Sequence, residues 1–292
     1  MRLFLRFLLP LILLFSTRAL AQGRVDCNAL NSRILSEVVH YCALLPESYD
    51  SGKEPARHYA VLYFLHGLGE NEQMLFRTGG WTLIGDLRQQ RKLGDFLIVT
   101  PEAKRTFYVN SADGKVRYSD FFLREFIPYI EARYRVRHDR GARAIGGISM
   151  GGYGALRFAF SHPELFVAVS AQSAALITDS PQELNRGMRS GTPLSSVLGK
   201  VFGDPINVPN WRENDPLVLA RKNKTGISKL AIYFNCGRED DYGFETGALA
   251  LHKELESEGI RHEFHLYPGN HDAIYFLAHL EEQLEFHGRA FR

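Results

Sequence analysis

The chain has 292 residues, 45% of them apolar, 23% charged and 12% aromatic, with a formal net charge of +2. Such a balance excludes a disordered or fibrous chain, and a charge so near zero argues against electrostatic binding of nucleic acid. Three cysteines are too few to replace a core by a disulfide scaffold, and a chain of this length needs no such replacement.

Arg2 and Arg6 precede a nine-residue apolar stretch, Phe7 to Phe15, and Ala19-Leu20-Ala21 follows it. A basic start, a short apolar centre and an A-x-A exit predict a signal peptide over residues 1–21, cleaved near Ala21. The stretch is too short to span a bilayer, which takes about 20 residues, so no stable membrane insertion is expected. Residues 1–21 hold three arginines and no acid, leaving 32 bases against 33 acids. The expectation is a near-neutral secreted or periplasmic protein whose residues 22–292 form a single domain.

Val25–Leu30 and Glu37–Leu45 read as two strands joined by a short connection around Ile34-Leu35. Tyr59–Leu65 (YAVLYFL) is a continuous apolar run, as in a strand buried on both faces of a parallel sheet. Phe96–Thr100 is another. Ser119–Tyr134 shows helical spacing, interrupted by Pro128. Ala142–Ile148 follows as a strand, Met150–Phe160 as a helix and Phe166–Ser170 as a strand. Leu230–Asn235 is the next strand, Phe244–Glu258 a helix and His262–Tyr267 the last strand. Strands alternating with helices predict an α/β fold, a mostly parallel sheet with helices on both faces. Residues 176–228 carry five prolines and break this rhythm, so they are read as an insertion over the C-terminal edge of the sheet.

Gly147-Ile148-Ser149-Met150-Gly151 is a G-x-S-x-G turn between a predicted strand and helix, the context of a nucleophile elbow. A serine hydroxyl attacks only when an imidazole takes its proton and a carboxylate orients that imidazole. Cys236-Gly237-Arg238-Glu239-Asp240-Asp241 places three acids after one strand. Pro268-Gly269-Asn270-His271-Asp272 places a histidine after another. Asp240 leads among the acids, ahead of Asp241 and Glu239. His271 leads among the histidines, because His262 and His265 fall on a strand and His279 and His287 on a terminal helix. Two backbone N–H groups must also hold the oxyanion. Met150, after the nucleophile, is one candidate and Leu68, in the loop His66-Gly67-Leu68-Gly69-Glu70, is the other. A histidine base must be neutral to accept a proton, so activity is expected to rise as pH passes about 6.5, an ordinary histidine value.

FLHGLGE, GGISMGGYGAL, CGREDD and GNHD, in this order and spacing, resemble the Putative esterase family of α/β-hydrolases. That family includes S-formylglutathione hydrolases, feruloyl and acetyl-xylan esterases and mycolyltransferases. The similarity runs from about Val25 to the C-terminal helix. It implies an α/β-hydrolase fold with Ser149, Asp240 and His271 as the triad, Asp240 because the family's acid follows a Cys-Gly-x-x pattern. The second acid, Asp241, is a departure from that pattern.

The expected activity is therefore a secreted serine carboxylesterase acting through an acyl-enzyme, on small-molecule or polysaccharide-linked esters such as acetyl or feruloyl groups. The alternatives are an acyltransferase on the same residues and a non-catalytic binding protein on the same fold. No cofactor is expected. His262-Glu263-Phe264-His265 lacks the H-E-x-x-H spacing and lies on a strand, so no metal is expected either. The arginines between 133 and 143 read as a solvated connection rather than a nucleic-acid surface. Trp81, Phe107 and Tyr108 follow strand-end loops and either line a pocket or pack. Finally, a hairpin centred between the first two strands pairs Cys27 with Cys42, close enough for a disulfide in an oxidising compartment. Cys236 is left as a thiol.

Overall fold

The computed structural model describes residues 23–52, 55–188 and 193–291; the expected signal peptide lies outside them. Eight strands form one sheet: β1 (Arg24–Ser32), β2 (Glu37–Leu45), β3 (Ala60–Leu65), β4 (Phe96–Pro101), β5 (Arg143–Ile148), β6 (Ala168–Gln172), β7 (Ala231–Gly237) and β8 (Glu263–Tyr267). Their spatial order is β1-β2-β4-β3-β5-β6-β7-β8. The pairs β1–β2 and β2–β4 are antiparallel, and every later pair is parallel. The sheet is thus mostly parallel, as the alternation of elements predicts.

The continuous apolar runs have a simple cause. Val61, Tyr63 and Leu65 of β3 face one core layer with Phe122, Phe126 and Leu156, while Leu62 and Phe64 face the other with Ile84, Leu87 and Leu284. Successive side chains of a strand point to opposite faces, so a strand covered on both sides must be apolar throughout.

The structure corrects three element readings. The strand expected at Phe166–Ser170 is displaced by two residues, to Ala168–Gln172. The helix expected over Ser119–Tyr134 is broken into Tyr118–Phe121, a π-turn over Phe122–Phe126, and Ile127–Arg133. Pro128 has no N–H to offer the preceding turn, and the wider π-turn directly before it takes up the mismatch. Two helices, Met74–Arg77 and Gly80–Gln89, occupy a stretch in which none was read.

The insertion is helical. Of its five prolines, Pro205 lies in the turn between two helices, and the other four open helices rather than break them: Pro181, Pro193 and Pro216 are first residues, and Pro209 is the second residue of Val208–Asn214. A proline there loses no intrahelical bond, and its fixed φ suits the first turn. The insertion packs toward the C-terminal edge of the sheet, where the Tyr153 hydroxyl donates to the Asn214 carbonyl at 2.7 Å. Among the described residues no helix is long and apolar enough to cross a membrane.

Cys27 and Cys42 are directly opposed in the β1–β2 register and joined by a disulfide. Cys236 is a buried thiol whose pKa burial pushes up to about 12, so it stays protonated. Protein unfolded without reductant should therefore expose one alkylatable thiol, and three after reduction, by mass spectrometry. Reduction should also remove about 3 kcal/mol of stability, the chain-entropy value for a 15-residue loop. Three thiols before reduction would contradict the bridge.

Candidate active site

Ser149 sits between β5 and the helix Met150–Ser161, with φ 56° and ψ −118°. Few side-chain-bearing residues adopt this backbone, and it needs tight surroundings to persist. The flanking glycines supply them. A Cβ on Gly151 would lie 2.0 Å from the Leu65 carbonyl oxygen, and one on Gly147 would lie 2.5 Å from the Gly151 backbone. The Ser149 N–H donates to the Gln172 carbonyl at 2.8 Å, which ties the turn to β6.

His271 lies after β8 and approaches Ser149 with its Nε2 2.9 Å from Oγ. On the other side its Nδ1 is 2.7 Å from Asp240 Oδ2. An ionised carboxylate only accepts, so Nδ1 carries the proton and Nε2 is free to accept the serine proton. Burial pushes the Asp240 carboxyl up. The bond from His271 and the backbone N–H groups of Tyr242 and Phe244 outweigh it and hold the carboxyl below the usual range. Asp240 thus remains charged to lower pH than an exposed aspartate.

The three neighbouring acids have separate fates. Only Asp240 reaches His271 among them. Asp241 is exposed. Glu239 accepts the Gly269 N–H at 2.7 Å while its own N–H donates to the Gly269 carbonyl at 3.1 Å. It pins the loop that carries His271 against the loop that carries Asp240.

The other histidines lie elsewhere. His262 is bonded to His252 and to the Ile260 carbonyl, each at 2.8 Å. His265 and His279 stack on Tyr267. His287 is fully buried against Ser170 Oγ at 2.6 Å.

A cavity of about 270 Å³ opens over Ser149 and His271, and Gly67, Leu68 and Met150 line it. Met150 is the first residue of its helix, where the backbone N–H has no intrahelical partner. Most of the remaining wall is apolar, with Leu75, Phe107, Phe276 and Leu280 among its residues; Glu70, Thr78 and Asp272 add polar groups. Of the aromatics considered from sequence, Phe107 therefore lines the cavity. Tyr108 is fully buried beside it, and Trp81 stacks on Phe76 away from the wall. The rings that pack on His271 escaped sequence reasoning: Tyr242 at 4.8 Å, Phe276 at 5.1 Å and Phe244 at 5.4 Å between centroids. A usable signal was present for Phe276, since Asp272 caps the next helix by accepting the Tyr275 N–H.

Known proteins similar to this chain include esterases. The chain is 30% identical over 241 residues to Esterase Rv1288 of Mycobacterium tuberculosis H37Rv, covering 78% of this chain and 51% of that protein. It thus spans about half the length of that relative. It is 27% identical over 260 residues to an acetyl esterase of Caldicellulosiruptor saccharolyticus, covering 87% of this chain and 94% of the relative. A solved ferulic acid esterase superposes with a TM-score of 0.78 at 28% identity, covering 92% of this chain and 98% of the other. The model of the Putative esterase family matches residues 32–287, from the end of β1 into the last helix, and the chain belongs to that family.

Proposed function

We propose that this protein is a serine carboxylesterase with Ser149 as nucleophile, His271 as general base and acid, and Asp240 as the orienting carboxylate. The observation that carries this reading is the unbroken chain of hydrogen bonds from Asp240 through His271 to Ser149, ending in a cavity. Ser149 Oγ attacks the ester carbonyl as its proton passes to His271 Nε2. The oxyanion that forms is held by the N–H groups of Leu68 and Met150. The alcohol leaves with the proton returned by His271, and water, activated by the same ring, frees the acyl group from Ser149.

The relatives named for acetyl and ferulic acid ester cleavage support esters of those kinds, on small molecules or plant polysaccharide. The leader-like residues 1–21 and the disulfide support work outside the cytoplasm by one mature domain over residues 22–292.

A fluorophosphonate probe should label the peptide containing Ser149, as located by mass spectrometry. The protein should hydrolyse members of a nitrophenyl ester chain-length series, tested beside feruloyl and acetylated-xylan substrates. Absence of both label and hydrolysis would favour a non-catalytic binding role. Product carrying the acyl group on an added sugar, in place of free acid, would favour acyl transfer.

A further inference from the structure

We propose that His66 is a positioning residue for the oxyanion site: its ring fixes the Gly67–Leu68 peptide so that the Leu68 N–H faces the cavity. This rests on the esterase reading above.

His66 directly follows β3 and is completely buried. Its Nε2 lies 2.9 Å from the Ala103 backbone nitrogen, and an amide N–H can only donate. Nε2 therefore accepts, the proton sits on Nδ1, and Nδ1–H donates to the Gly67 carbonyl at 2.8 Å. The Glu70 N–H donates to the same carbonyl at 3.2 Å. Two donors thus hold one face of a single peptide unit. A trans peptide is planar, with its C=O and N–H pointing in opposite directions. Holding the Gly67 oxygen therefore aims the Leu68 N–H the other way. Among the described residues that N–H has no partner, and Gly67 and Leu68 line the cavity with Ser149 and Met150. A Cβ built on Gly67 would stand 3.5 Å from Ser149 Cβ, so this peptide adjoins the nucleophile.

The segment that grips His66 is itself unusual. Besides the Ala103 N–H, the Tyr108 hydroxyl donates to the His66 carbonyl at 2.9 Å. Phe107 and Tyr108 are consecutive bulky residues at φ 50° and 59°. Left-handed backbone at such residues is strained and persists where surrounding structure dictates it. Here it turns Phe107 into the cavity wall and lays the Tyr108 ring over Gly154, in the helix that Ser149 opens. One loop therefore touches the nucleophile's helix and also grips His66, the residue that holds the oxyanion peptide. Burial pushes the His66 ring toward its neutral form, the form these bonds require.

Two variants test the role. His66→Phe keeps a ring and removes both ring hydrogen bonds; Tyr108→Phe removes one hydroxyl. Losing one oxyanion donor outright lowers kcat about 10²–10³-fold, so a misaimed donor in His66→Phe should cost about 10–100-fold in kcat with KM nearly unchanged. Affinity for a trifluoromethyl ketone, which forms a tetrahedral adduct, should fall in parallel. Hydrolysis of the matching thionoester, whose sulfur accepts hydrogen bonds poorly, should fall much less. Tyr108→Phe should shift the same three readings in the same directions by about 2–10-fold, the worth of one neutral hydrogen bond.

Equal losses on ester and thionoester would overturn the proposal, as would unchanged ketone affinity in either variant. If His66→Phe fails to fold, Tyr108→Phe alone decides by the same measurements. A wild-type protein that hydrolyses no ester, or one that stays active as Ser149→Ala, would instead overturn the esterase reading and this role with it.

Discussion

Replacement of Ser149 by alanine is expected to abolish turnover, with kcat falling about 10⁶-fold or to the background rate. The variant is a clean probe because the elbow does not depend on the hydroxyl. The Ser149 N–H bond to Gln172 and the Tyr153 N–H bond to the Ser149 carbonyl are both backbone bonds, and both survive. What disappears is the atom 2.9 Å from His271 Nε2. The remaining groups can still bind an ester and polarise it, which leaves a residual rate far below that of the intact enzyme. A folded Ser149→Ala protein with ordinary activity in a nitrophenyl ester assay would dismiss the mechanism.

Asp240→Asn is expected to cost about 10⁴-fold in kcat, and Asp241→Asn almost nothing. An asparagine at 240 can turn its amide group toward Nδ1 and donate to it. The imidazole proton then moves to Nε2, and the ring can no longer accept from Ser149. The packing changes little, so the loss reports the wrong tautomer rather than a damaged fold. Asp241 is exposed on the same loop, and the carboxylate bonded to His271 Nδ1 is that of Asp240. Steady-state kinetics of the two variants side by side decide between the acids, and the reverse ranking would reassign the role.

Much of this was legible because burial writes itself into composition. β3 throughout and β4 from Phe96 to Val99 are apolar since helices cover both faces, and the bounds of both strands in the structure lie within a residue of those read from sequence. The elbow was legible because its sharp turn admits only glycine at defined positions. Position along the chain could not choose between Asp240 and Asp241: adjacent residues on a loop differ by where the loop turns, and that depends on Glu239 holding Gly269 across space. The helix Gly80–Gln89 was hidden by its start, where Gly79 at φ 84° and Gly80 resemble a loop. In the insertion, four of the five prolines read as interruptions are helix openings. Proline limits what can precede it more than what can follow it.

The left-handed backbone at Ser149, Phe107 and Tyr108 also bears on how this protein could be made to last. Residues held in such conformations cost about 1–3 kcal/mol each, against a net stability for a whole domain of about 5–15 kcal/mol. Ser149 and Phe107 line one cavity and Tyr108 lies directly behind it, so a sizeable part of the thermodynamic margin goes to the place where the ester would react. A search for heat-resistant variants that watched melting temperature alone would be drawn to these positions, toward glycine at 149 first of all. It would return a sturdier protein without the hydroxyl proposed as nucleophile. Screens for durability need turnover as a second criterion, because at these residues the two properties pull in opposite directions.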